Sequence, residues 1–292
     1  MSAPTPLTLD ALRRMPPPMP AGETDKDERG VVLVIGGSRE VPGAALLAGV
    51  AALRVGAGKL QIAAPASVAP HLGVAVPECR VFATPETPES GIGPGASDLL
   101  APHARRVQAV CLGPGILDRD GAASLTADLL QGVEGPPFLL DAAALTRLRD
   151  LREPLRRQAG RVVVTPHAGE MAGLLGVERE AVLTDPLGAA RRAAAELQAV
   201  VALKGSRTHI VTPQGEAWLF TGGHVGLATS GSGDTLAGAI AGLLARGAPP
   251  LQAALWGVSL HGEAGQRLAR SRGPLGFLAR EIPDQIPALL AR

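Results

Sequence analysis

The chain has 292 residues, of which 46% are hydrophobic and 19% charged, enough to bury the core of one large α/β domain. Its 28 basic and 27 acidic residues leave a net charge of +1, and aromatic residues make up 2% with no Tyr at all. That composition argues against a polyanion-binding face and against the stacking platforms of single-strand binders, so nucleic acid is not an expected partner. Gly, Arg and Lys interrupt every apolar run before the ~20 residues of a membrane span. Met1 to Asp27 has proline runs and charges but no apolar core of a signal peptide. Cys79 and Cys111 stand far apart without a metal-site spacing and read as buried, reduced thiols. The expectation is a cytoplasmic protein with no membrane partner.

Residues 1–27 read as a flexible N-terminal segment and residues 28–292 as a single domain. Val31 to Ile35 is a continuous apolar run before Gly36-Gly37-Ser38, the pattern of a buried parallel strand and its loop. Gly43 to Val55 predicts a helix closed by Gly56-Ala57-Gly58, and Lys59 to Ala63 a second strand. The pattern recurs at Val107 to Leu112 before Gly113-Pro114-Gly115, at Phe138 to Leu140 before Asp141, at Val162 to Val164 before Thr165-Pro166-His167, and at Val200 to Leu203 before Lys204-Gly205. His209 to Thr212 and Ala217 to Phe220 flank Pro213-Gln214-Gly215-Glu216, an antiparallel hairpin near one sheet edge. Helices are predicted over Leu236 to Arg246 and Leu251 to Arg270, with a short one over Ile282 to Arg292. Strands alternating with Ala-rich helices predict an α/β fold of three layers, a mostly parallel sheet with helices on both faces. Ligands bind beyond the carboxyl ends of such strands, where all these polar loops lie.

Gly231-Ser232-Gly233-Asp234 precedes the first of the late helices and has two readings. A helix start carries unsatisfied N-H groups and a partial positive charge, so Gly231, Ser232 and Gly233 suit a phosphate, with Asp234 as a nearby base. The same four residues also suit an ordinary loop whose Asp or Ser caps the helix. Lys204-Gly205-Ser206-Arg207-Thr208 is a second phosphate candidate, with two cations flanking hydroxyls at a strand end. Two such loops at one sheet edge favour a nucleotide over a single anion. Gly113-Pro114-Gly115 is either a ligand-approach turn or a plain reversal. His167 sits at a strand end, Glu170 on the turn that follows, and Asp141 either caps a helix or organises a metal-bound water. Walker A fails at Val55 to Leu60, where Leu53 replaces the first Gly and Leu60 the hydroxyl. The dinucleotide fingerprint fails at Gly36 to Val41, and no serine carries the G-x-S-x-G elbow.

The ordered set Val34-Ile35-Gly36-Gly37-Ser38, Pro42-Gly43-Ala44-Ala45, Gly56-Ala57-Gly58, Leu112-Gly113-Pro114-Gly115, Thr165-Pro166-His167-Ala168-Gly169-Glu170, Lys204-Gly205 and Leu227 to Asp234 resembles the ADP-dependent NAD(P)H-hydrate dehydratases of the ribokinase-like superfamily. The likeness covers roughly residues 28 to 270. It implies that ADP phosphorylates the hydroxyl of hydrated NADH or NADPH, and that loss of phosphate restores the cofactor while AMP leaves. It further implies Asp234 as base, Gly231 to Gly233 around the transferred phosphoryl group, and Lys204, Gly205, Ser206, Arg207, Thr208 and Gly233 on the nucleotide. Ala45, Gly115, His167 and Asp234 match hydrate-lining positions, and Mg2+ would bridge phosphates. A homo-oligomer, a tetramer in the family pattern, is implied as well.

This chain departs from the family's Asp-Ala-Asp-Ala-Leu-Asn at Asp141 to Thr146, where Ala143 and Thr146 replace a carboxylate and an amide. His224-Val225 replaces the usual Asn-Pro, and Ala168 a Pro. With about 30 residues before the first strand, a fused epimerase is not expected and a separate one is. The alternative is an ATP-dependent kinase of a small alcohol, of the hydroxyethylthiazole or pyridoxine type, which the Gly231 to Asp234 loop alone equally allows. A nucleotide-binding protein without catalysis is the third reading.

Overall fold

The computed structural model describes residues 3–20, 25–158 and 160–291. Its strands are β1 Thr5–Pro6, β2 Val31–Ile35, β3 Lys59–Pro65, β4 Cys79–Thr84, β5 Ala109–Leu112, β6 Phe138–Leu140, β7 Val162–Val164, β8 Val200–Leu203, β9 Thr208–Val211 and β10 Ala217–Phe220. They form one sheet in the order β1-β10-β9-β8-β7-β6-β5-β2-β3-β4. From β4 to β8 every pairing is parallel, whereas β8, β9 and β10 pair antiparallel. The order reverses between β2 and β5, and at such a switch point a crevice opens beyond the strand ends. Gly36 to Ser38 and Gly113 to Gly115 flank it, joined by the Gly37 N-H donating to the Pro114 carbonyl at 2.7 Å.

Because side chains alternate along a strand, β2 divides itself between two apolar layers. Val32 and Val34 pack with Ala45, Ala48 and the late helices Ser232–Ala245 and Pro250–Arg272. Val31, Leu33 and Ile35 pack with helices such as Arg119–Gly132 and Pro186–Leu197 on the other face. These are the three expected layers. The helix Ser232–Ala245 is held close to the helix Gly43–Arg54 because its facing positions lack side chains. A Cβ on Gly238 would fall 2.0 Å from the Ala48 carbonyl oxygen, so only Gly permits this approach. That contact fixes the height at which the helix start meets the switch point.

Two expectations change. The segment read as flexible is tied to the domain over much of its length: β1 pairs parallel with β10, and Leu12 in the helix Leu9–Arg13 is 1% exposed. Met15 and Pro16 present carbonyls to Gln252, and Trp256 Nε1 donates to Met15 at 2.7 Å. Prolines without N-H groups suit a segment that offers only acceptors to side-chain donors. Leu12→Ala is expected to cost about 2–3 kcal/mol, the lower part of the range for such truncations because the arm is peripheral, read as a lower urea midpoint. The second change is Cys79, which is only partly buried, while Cys111 is buried as expected. Among the described residues, no helix is long and apolar enough to cross a membrane.

Candidate active site

The helix that was expected from Leu236 begins at Ser232, one turn earlier, with Gly231 as its N-cap at φ +86°. Glycine adopts that conformation without steric cost, and with no side chain at the cap the first donors stay open. The Ser232 N-H donates to the Thr229 carbonyl, and those of Gly233 and Asp234 have no partner among the described residues. Asp234 is therefore not the N-cap. It is the third helical residue, half-buried, with its carboxylate beside open donors.

Three chain segments bring charges to this helix start. Asp141, at the end of β6 and 2% exposed, does not cap the turn after it; its Oδ1 accepts from Thr165 Oγ1 and Lys204 Nζ, both at 2.7 Å. Lys204, just past β8, also lies 3.9 Å from Glu170 Oε2, and a Cβ on Gly233 would sit 3.7 Å from its Nζ. Burial alone would lower the Lys204 pKa, but Asp141, Glu170 and Asp234 outweigh it and hold the ammonium above its usual value. For Asp234 burial comes first and the charge of Asp141 second, and together they push its pKa up to about 6 against the pull of Lys204. A carboxylate poised there is a competent base near neutral pH. Activity is expected to rise with pH through about 6 and then level, read as the acid limb of kcat/KM.

His167 caps the helix Ala168–Leu175: its Nδ1 accepts from the Gly169 and Glu170 N-H groups, and Glu170 Oε2 accepts from the His167 N-H at 2.8 Å. With Nδ1 accepting, the neutral ring carries its proton on Nε2, leaving an exposed donor. The Lys204 N-H donates to the Pro166 carbonyl at 2.8 Å, which ties the loop after β7 to the loop after β8. Gly115 is partly exposed at the switch point. Ala45 is fully buried, its methyl beneath the Gly36-Gly37 turn, so its side chain lines no open surface. In the Lys204 to Thr208 turn only Lys204 joins the charged cluster; Gly205, Ser206 and Arg207 are exposed, and Thr208 begins β9.

His261 was not singled out in the sequence. Its Nε2 lies 3.0 Å from both Oγ and the carbonyl oxygen of Ser232. Burial chiefly, with a smaller push from Lys204, lowers its pKa to about 4 although the Ser232 carbonyl favours the charged form. A neutral imidazole thus steadies the first helical turn. Only its distance from Gly231 in sequence hid it.

Among the described residues no three His, Cys, Asp or Glu side chains converge as a self-sufficient metal site. Mg2+ needs only one or two carboxylates when phosphates and water complete its shell. Asp141 and Glu170, hard oxygen donors both within 3.9 Å of Lys204 Nζ, fit that requirement.

A family model described as NAD(P)H-hydrate dehydratase matches residues 32–288. The chain belongs to that family. It is 46% identical over 286 residues to the ADP-dependent (S)-NAD(P)H-hydrate dehydratase of Xanthomonas campestris pv. campestris, covering 98% of this chain and 96% of that one. It is 40% identical over 261 residues to a bifunctional NAD(P)H-hydrate repair enzyme of Moorella thermoacetica, covering 89% of this chain but 49% of that protein, about half its length. Among solved structures, the ADP/ATP-dependent NAD(P)H-hydrate dehydratase of Bacillus subtilis, co-crystallised with ATP and Mg2+, superposes with a TM-score of 0.82 at 30% identity over 100% of this chain and 99% of that one.

Proposed function

We propose that this member of the NAD(P)H-hydrate dehydratase family restores NADH or NADPH from the (S) hydrate, consuming ADP and releasing AMP and phosphate. The observation that carries this reading is the meeting of open helix-start donors, Asp234 and Lys204 within one side chain's reach. Asp234 takes the proton of the hydrate's hydroxyl, whose oxygen then attacks the terminal phosphorus of ADP as the bond to AMP breaks. The N-H groups of Gly233 and Asp234 hold the charge that grows on the phosphoryl oxygens, and Lys204 exchanges part of its contact with Asp141 for phosphate. Mg2+, when bound through Asp141 and Glu170, would supply further neutralisation of phosphate charge. The lone pair of the hydrated ring's nitrogen then expels phosphate, and loss of the neighbouring carbon's proton restores the double bond and with it the dihydropyridine.

The support for the hydrate is the family, with Gly115 on the turn at the switch point, Asp234 at the helix start and His167 beyond β7 all at the carboxyl ends of the strands. His167 offers an exposed Nε2, and Ala45, fully buried, can act only by supporting the Gly36-Gly37 turn from beneath. Gly205, Ser206, Arg207 and Thr208 offer an open turn to the nucleotide. Cytoplasmic location, a homo-oligomer and a separate epimerase for the hydrate's stereoisomers complete the reading.

The test is to incubate the protein with the hydrate of NADH and either ADP or ATP while following absorbance of NADH. Recovery with ADP is expected. Phosphorylation of a small alcohol by ATP, with no recovery from the hydrate under either nucleotide, would establish the kinase alternative.

A further inference from the structure

A cleft of about 400 Å³ opens beside the charged cluster and shares His167 and Glu170 with it. One wall is Ile116, Leu117 and Arg119, directly after the Gly113 to Gly115 turn, and its floor is the turn Ala142 to Arg147 after β6. The cleft thus spans the ends of β5, β6 and β7, on the side of Lys204 away from the Gly205 to Thr208 turn. Its volume is within the range of small-ligand sites. Ala143 and Thr146 both line it.

Its charge is one-sided. Arg119 and Arg147 supply two guanidinium groups, whereas the one lining carboxylate, Glu170, is already engaged by the His167 N-H. The Arg119 side chain makes no hydrogen bond or ion pair among the described residues. Arg147 pairs with Asp120 at 3.2 Å, but both side chains are largely exposed, so the pair is weak and exchangeable. Two of the four non-glycine residues with positive φ among the described residues, Ala142 at +49° and Arg147 at +54°, bracket this floor. Each such residue costs about 1–3 kcal/mol, so the surrounding structure holds the turn in a shape that local preference opposes.

We propose that this cleft receives the diphosphate bridge and distal nucleoside of the dinucleotide substrate, with Arg119 and Arg147 contacting its phosphate oxygens. This rests on the reading of the substrate given above. A dihydropyridine placed between Asp234 and His167 must lead its diphosphate away from the reacting centre, and the cleft begins at His167. Guanidinium forks match phosphate oxygens two at a time.

The test titrates the full-length protein with NADPH, and separately with ADP, by calorimetry, for the parent, Arg119→Gln, Arg147→Gly and the double variant. Glycine at 147 keeps the positive φ accessible, so this variant loses the guanidinium without a backbone penalty. Each single variant is expected to raise the Kd for NADPH about tenfold and the double variant further, with the Kd for ADP within about twofold of the parent. Unchanged NADPH affinity in the double variant would overturn the assignment, as would weakened ADP in place of NADPH. The readout does not require turnover. If the parent fails to dehydrate the hydrate yet the variants weaken NADPH, the cleft stands and the reaction falls; if turnover is present and NADPH affinity is unmoved, the reverse holds.

Discussion

Asp234→Asn should abolish turnover, by at least 10²-fold and up to about 10⁴-fold, while ADP still binds. The amide keeps the shape and its N-H stays in the open first turn, but it cannot accept the hydroxyl's proton. A second effect runs the opposite way. The folded protein holds the Asp234 pKa at about 6, above its ordinary 3.8, so ionising this group opposes folding. Its stabilising share is full below pH 3.8 and is lost as pH rises through about 6. Asp234→Asn is therefore expected to melt higher than the parent at pH 8 and to lose that advantage at pH 4. Stability stored against function in this way belongs to a catalytic carboxylate rather than to a cap. Full activity in the variant would remove Asp234 from the chemistry.

Lys204→Met should be the most damaging change for the fold among the charged residues. Asp141 is 3% exposed at its side chain and Lys204 20%, so the substitution leaves a buried carboxylate facing only Thr165. Breaking such a pair costs about 3–5 kcal/mol, and the partial exposure of Lys204 places this case near 3. Removing both charges in Lys204→Met with Asp141→Leu should recover much of that loss in denaturant midpoint, because no isolated charge remains. ADP affinity should not recover, since the ammonium is needed at the phosphates. Recovery of ADP binding in the double variant would mean that Lys204 only neutralises Asp141.

The sheet was readable in the sequence where strands are buried on both faces. Val31 to Ile35, Phe138 to Leu140, Val162 to Val164 and Val200 to Leu203 are uninterrupted apolar runs, and the structure gives these bounds. The strand Cys79–Thr84 escaped because it is an edge strand with exposed positions, and Arg80 lies over the Phe82 ring, a contact invisible in linear spacing. The N-terminal arm escaped because proline and charge resemble a tether, while its anchors, Gln252 and Trp256, lie more than two hundred residues away. At the site, Gly231 to Asp234 was ambiguous between cap and cradle. The deciding facts, a start at Ser232 and a carboxylate lifted by Asp141 across the sheet, are long-range. His261 and the Asp141 to Lys204 pair share that cause, since side chains far apart in sequence meet only after the sheet has formed.

A structure of the protein with ADP and NADPH bound together examines the division of labour most directly, because NADPH lacks the hydroxyl that would react. The account predicts the terminal phosphate of ADP on the N-H groups of Gly233 and Asp234, Lys204 Nζ on a phosphate oxygen, and the Asp234 carboxylate turned toward the dihydropyridine ring. A terminal phosphate bound away from that helix start, or a ring remote from Asp234, would contradict it.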